Sequence, residues 1–107
     1  LRAVQGDALT ELLLRAVRQD FLLSLAKMAE RGELRKEVDV EHLATILLGN
    51  YWSTFMMINK GLEVISRMRV SLTVNLLAVL IASSQGAARD EMETTLEEIR
   101  REVQSNA

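Results

Sequence analysis

Asp39-Val40-Glu41-His42-Leu43-Ala44-Thr45-Ile46-Leu47-Leu48, continued by Gly49-Asn50-Tyr51-Trp52-Ser53-Thr54-Phe55-Met56-Met57-Ile58, is the stretch around which this chain is organised. One line of apolar residues runs Val40, Leu43, Leu47, Tyr51, Phe55, Ile58, Leu62 and Ile65, at spacings of three and four that lay them along one side of an α-helix. A second line runs Leu48, Trp52 and Met56, with Ile46 and Met57 on further flanks. Asp39 is placed to cap the helix, because its carboxylate can accept from the free backbone N–H groups just beyond it, and Glu41 adds negative charge where the helix dipole is positive. The first line keeps its spacing through Gly61, and no turn cluster follows that glycine. The spacing therefore predicts one helix over residues 40–68, roughly 43 Å long.

Working outward, Asp7 is a candidate cap for a helix over 8–31, which carries Leu9, Leu12, Leu13, Ala16, Val17, Leu23 and Ala26 and closes at Arg31-Gly32. Glu33 to Val38 reads as a charged connection. Ser71 can cap a third helix whose Leu72, Val74, Leu76, Leu77, Val79, Leu80 and Ile81 leave almost no polar face, and such a helix is expected to be buried all round. Gly86 breaks the chain again, and a fourth helix over 88–104 places Met92, Leu96, Ile99 and Val103 in one stripe beneath a charged exterior. With no proline and no useful strand-like alternation, the fold class is all-α. An antiparallel bundle of about four helices is expected, in a single domain spanning 1–107.

The totals narrow the function classes. The chain has 107 residues, and folding at that size is expected to bury roughly 65% of the surface the unfolded chain exposes. A net charge of −2 argues against a polyanion-binding face. The absence of cysteine excludes disulfides, thiolate metal sites and thiol nucleophiles. The most apolar run, Leu72 to Ala82, is interrupted by Asn75 and is short of the ~20 residues that span a bilayer. Arg2, Gln5 and Asp7 follow Leu1 where a signal peptide would be apolar, so the chain reads as soluble and cytoplasmic. It begins with Leu1 rather than Met, which reads as a fragment or a processed product.

Little here points to catalysis. His42 is the only histidine, at the start of a helix beside acidic neighbours, and no metal-ligand spacing surrounds it. There is no glycine-rich phosphate loop and no nucleophile elbow, so neither enzyme activity nor a cofactor is expected. The aromatic and methionine cluster has two readings. It fills a core, as such residues at helical spacing usually do, or it lines a ligand cavity. Phe21, Trp52, Phe55 and Met56 are the ligand-binding candidates, chosen by residue type and position. Asn50, Ser53 and Thr54 would supply a cavity's polar groups or, without a ligand, hydrogen bonds between helices. Helices two and three together carry more apolar surface than a chain of this size can cover, which predicts a homodimer closing a four-helix bundle about a twofold axis. Leu48, Leu72, Leu76, Leu77 and Leu80 are the candidate interface residues.

Arg31-Gly32-Glu33-Leu34-Arg35-Lys36-Glu37-Val38-Asp39-Val40-Glu41 resembles the C-terminal domain of tetracycline-repressor (TetR) type transcriptional regulators, where a Gly-Glu-Leu-Arg turn leads to an acidic start of the long penultimate helix. Gly61-Leu62-Glu63-Val64-Ile65-Ser66-Arg67 followed by Ser71 is similar to the end of that helix and the turn into the last one. The resemblance covers about residues 8–84 and implies an all-helical effector-binding and dimerisation domain. In that family a small molecule bound in this domain alters the spacing of two DNA-reading heads, and a small apolar effector is the corresponding expectation for this chain. Residues 40–68 and 71–84 match the helices of the family's dimer bundle. No helix-turn-helix is recognisable in this chain, so operator DNA would be gripped by an N-terminal domain outside it, and the fourth helix lies beyond the resemblance. The alternative is a free-standing helical protein-interaction module that binds no effector.

Overall fold

In the computed structural model, which describes residues 2–61 and 65–106 and their side chains from residue 8 onward, four helices follow one another: α1 (Arg2–Glu30), α2 (Val40–Asn59), α3 (Ile65–Ser83) and α4 (Gly86–Ser105). No strand occurs among the described residues, and the protein is all-helical. Asp39 caps α2 as its position predicts: its Oδ1 accepts from the backbone N–H of Glu41 at 3.0 Å and of His42 at 3.3 Å. Gly32 closes α1 with a left-handed φ of 70°, which lets the Glu33 N–H turn back to the Met28 carbonyl at 2.9 Å.

Three helix boundaries differ from the sequence expectation. The backbone of α1 is already helical at Arg2, so Asp7 lies inside the helix rather than before it, and its expected capping side chain lies outside the described side chains. The single helix over 40–68 does not form. α2 stops at Asn59, where the Lys60 N–H reaches the Met56 carbonyl at 2.9 Å and the Gly61 N–H reaches that of Ile58 at 3.0 Å. Gly61 then takes a left-handed φ of 69°. A left-handed residue ends a helix whatever the apolar spacing beyond it. Leu62, which was expected to extend the stripe, lies outside the described residues. Ser71 does not cap α3, because that helix already runs from Ile65.

Each helix packs on its neighbours in sequence: α1 on α2, α2 on α3, and α3 on α4. Leu25 near the end of α1, Leu43, Ala44 and Leu47 near the start of α2, and Leu34 between them form the buried cluster. Phe21, Leu22 and Met28 of α1 cover it from one side, and Leu76, Val79 and Leu80 near the end of α3 from another, so successive helices run antiparallel. Beside this cluster the two helix connections are tied together. The Arg35 N–H donates to the Ser83 carbonyl at 2.9 Å, and the Gln85 N–H donates to the Glu33 carbonyl at 2.8 Å, making an isolated antiparallel bridge between Leu34 and Ser84. The Gln85 side chain adds a bond to the Gly32 carbonyl at 2.9 Å. Ser84 is fully buried there.

The result is a thin, open array. Its extents are 49 × 38 × 15 Å, and its radius of gyration is 15.7 Å, against about 13 Å for a compact domain of this length. The exposed surface is 7687 Å², roughly 1,700 Å² more than size scaling gives for a compact 12.0 kDa monomer. Folding therefore removes nearer 56% than 65% of the extended chain's ~17,400 Å² from water. α3 shows why. It was expected to be buried all round, yet Met68 is its one buried side chain among the described residues. With so few buried side chains, each carries a large share of the stability. Leu47→Ala is expected to lower the unfolding free energy by about 2–5 kcal/mol in urea melts at fixed protein concentration, and a loss below about 1 kcal/mol would contradict its place in the core.

Candidate functional site

The aromatic residues sit on the second half of α2, past the buried cluster. Trp52 and Phe55 are one turn apart and stack on each other, with ring centroids 5.7 Å apart and planes inclined by 25°. Both are half-buried, as is Met56 on the same side of the helix. Phe21 is not gathered with them: it packs on the Leu25, Leu43 and Leu47 cluster and serves as core. The four ligand-binding candidates are therefore split between a core position on α1 and an aromatic pair with an adjacent methionine on α2.

The polar neighbours do not make a binding constellation either. The Thr54 hydroxyl is buried and donates to the Asn50 carbonyl at 2.9 Å, one turn back in the same helix. The Asn50 side-chain amide donates to the Ile46 carbonyl at 3.2 Å, again within α2. Such backward bonds satisfy a side chain locally, so the interhelix bonds expected from these two residues are replaced by intrahelical ones. Ser53 is exposed. His42 is exposed too, and among the described residues no three histidine, aspartate or glutamate side chains converge to hold a metal ion.

The clefts of this surface are elsewhere. One of about 360 Å³ lies between α3 and α4, lined by Arg69, Val70, Thr73, Ile99, Glu102, Val103 and Asn106. A second, of about 340 Å³, shares Val70, Ile99 and Val103 with it and adds Val74, Arg100 and Gln104. A third, of about 370 Å³, lies under the connection between α1 and α2, beside Leu34, Val38, Val40 and Gln85. None of these is lined by Phe21, Trp52, Phe55 or Met56. Sequence reasoning found Ile99 and Val103 as part of a stripe but did not connect them to Val70 and Val74. The signal was there: Val70, Val74, Leu77 and Ile81 recur at spacings of four and three.

The expected interface residues divide in a similar way. Leu76 and Leu80 are half-buried against the chain's own core. Leu48, Leu72 and Leu77 are half-buried outside that cluster. Ile65, Val70 and Met57 are exposed outright. By length and composition α3 could cross a membrane, with a mean hydropathy of 1.5 over its most apolar window and only 6% of that window buried. The helix is longer than the Leu72 to Ala82 run because it starts at Ile65, and it gains Arg67 and Arg69 with that extension. No protein-family model matches this chain, nor does any curated protein or solved structure.

Trp52 is the only tryptophan, so its fluorescence reports this pair alone. Phe55→Ala is expected to remove a stacking contact of about 0.5–1.5 kcal/mol and to red-shift Trp52 emission as water reaches the indole. An unchanged emission spectrum would contradict the stacked pair.

Proposed function

We propose that this chain is the dimerisation and small-molecule-sensing part of a TetR-like transcriptional regulator, a repressor acting in the cytoplasm. The observation that carries the proposal is α3, a 19-residue apolar helix whose large apolar side chains other than Met68 the chain itself leaves half-buried or, at Ile65 and Val70, exposed. Apolar surface on this scale marks an association site. A second copy is the simplest cover, because twofold pairing buries the same face twice. The Gly-Glu-Leu-Arg turn and the Asp39 cap support the family part of the reading, with Leu48, Leu72 and Leu77 available to a partner. In this reading the chain is not an enzyme, and operator DNA is held by a helix-turn-helix domain outside residues 1–107. The net charge of −2 fits a division of labour in which this part does not touch DNA.

A second reading has an observation of its own. Trp52 and Phe55 satisfy each other by stacking, Asn50 and Thr54 are bonded within their helix, and the clefts lie elsewhere. This favours a helical interaction module that pairs or docks without binding an effector. Titrating apolar ligands against Trp52 fluorescence separates the two: saturable change supports sensing, and its absence supports the bare module.

The association itself is tested at Leu77. Leu77→Glu places a charge on the half-buried outer side of α3 and is expected to convert a dimer to a monomer while far-UV circular dichroism keeps its helical amplitude. A variant that remains helical and keeps the parent's mass would overturn pairing through this face.

A further inference from the structure

The array is tied together at one end and more open at the other, where Met68 is the one buried side chain of α3 among the described residues. Around the Leu34 to Ser84 bridge, the connections and the Leu25, Leu43 and Leu47 cluster hold α1, α2 and α3 together. At the far end Ile65 is 59% exposed, Val70 39% and Val103 47%. Here α3 and α4 leave their shared groove, and among the described residues neither α1 nor α2 packs against α4. Leu96 of α4 is buried, whereas Val70 and Val103, which line the groove, stay partly exposed.

The groove carries both signs of charge. Arg69 from α3 and Glu102 from α4 line it together, and among the described residues they make no ion pair with each other. A twofold interface needs a patch that complements itself, with residue i of one copy meeting j of the other and j meeting i. A groove with an apolar floor, a cation on one wall and an anion on the other meets that requirement. An acyl chain or a bilayer interior does not fit as well, because it would leave both charges in an apolar medium without partners.

We infer that a second copy of this chain seats its own α3–α4 hairpin in this groove. The bundle is then built from two α3 and two α4 helices, with Arg69 of each protomer facing the partner's Glu102. This rests on the self-association reading and sharpens it. The first half of α2 is enclosed by α1 and α3 along Leu43, Ala44 and Leu47, and the groove that carries Arg69 and Glu102 belongs to α3 and α4. The partner is therefore met by α3 together with α4, in place of the α2 and α3 bundle that the family resemblance implies, which gives the fourth helix its role. Exposed apolar side chains lie on both walls of the groove, Val70 on α3 and Val103 on α4, as pairing through it requires.

Charge exchange between copies tests the inference. Arg69→Glu alone and Glu102→Arg alone each set like charges opposite one another twice per dimer. Each is expected to raise the dissociation constant about tenfold or more, since like charges facing across an interface cost far more than a rim ion pair gains. Mixing the two single variants in equal amounts restores both pairings, but only between chains, and a heterodimer is expected at the parent's dissociation constant. The double variant is expected to pair as the parent does. If the groove merely held its two charges within one chain, mixing would rescue nothing. A parent that dimerises while either single variant pairs equally well, or a mixture that stays monomeric, overturns the α3–α4 interface and leaves self-association standing. A parent chain that is monomeric, or that floats with neutral phosphatidylcholine vesicles instead of pairing, overturns both.

Discussion

Two backbone hydrogen bonds, from Arg35 N–H to the Ser83 carbonyl and from Gln85 N–H to the Glu33 carbonyl, join the connection after α1 to the connection after α3. Backbone groups that leave a helix end need partners, and a connection folded against a buried cluster cannot obtain them all from water. Here each connection supplies the other's partners. The bridge places Leu34 over the Leu25, Leu43 and Leu47 cluster and brings the end of α3 within reach of the start of α2. Ser84 completes the contact, fully buried, with its hydroxyl 3.9 Å from the Met92 sulfur. The arrangement fixes where the core is, and therefore where it is not.

Packing weakens with distance from that bridge. Buried side chains concentrate around it, while Leu9 and Leu12 of α1, Met57 of α2, Ile65 and Val70 of α3 and Val103 of α4 stay exposed, toward the opposite ends of their helices. A 107-residue chain has only modest apolar burial to set against its conformational entropy, and this one concentrates it around the bridge, with Thr54, Met68 and Leu96 buried beyond it. In the proposed pairing, the apolar surface that α3 leaves exposed is what drives association. The same polarity separates the two roles considered for α2: its first half is core, and its second half carries the aromatic pair without enclosing a cavity.

Much of this was legible in the sequence. The Asp39 cap, the Gly32 stop and the presence of four helices follow from local chemistry, since each depends on residues within a turn or two of each other. At the end of α2 two signals in the sequence conflict: the apolar spacing continues through Gly61, while Gly61 after Asn59-Lys60 carries the usual helix-stop signal, and the glycine prevails. The bridge could not be read at all: Arg35 and Ser84 are 49 positions apart, and no periodicity links them. α3 was expected to be buried because its composition is apolar, but composition states what a helix needs and not whether its own chain provides it. The aromatic cluster misled for a related reason. Residue type and spacing could not show that Phe21 joins the core while Trp52 stacks on Phe55.

The central claim is that this chain folds as an open half whose uncovered α3 face is completed by a second copy. Sedimentation equilibrium on the unaltered chain at micromolar concentration addresses it most directly. The account predicts a species of about twice the 12.0 kDa chain mass that dissociates on dilution. A folded, helical species that stays at 12.0 kDa across that range would contradict it.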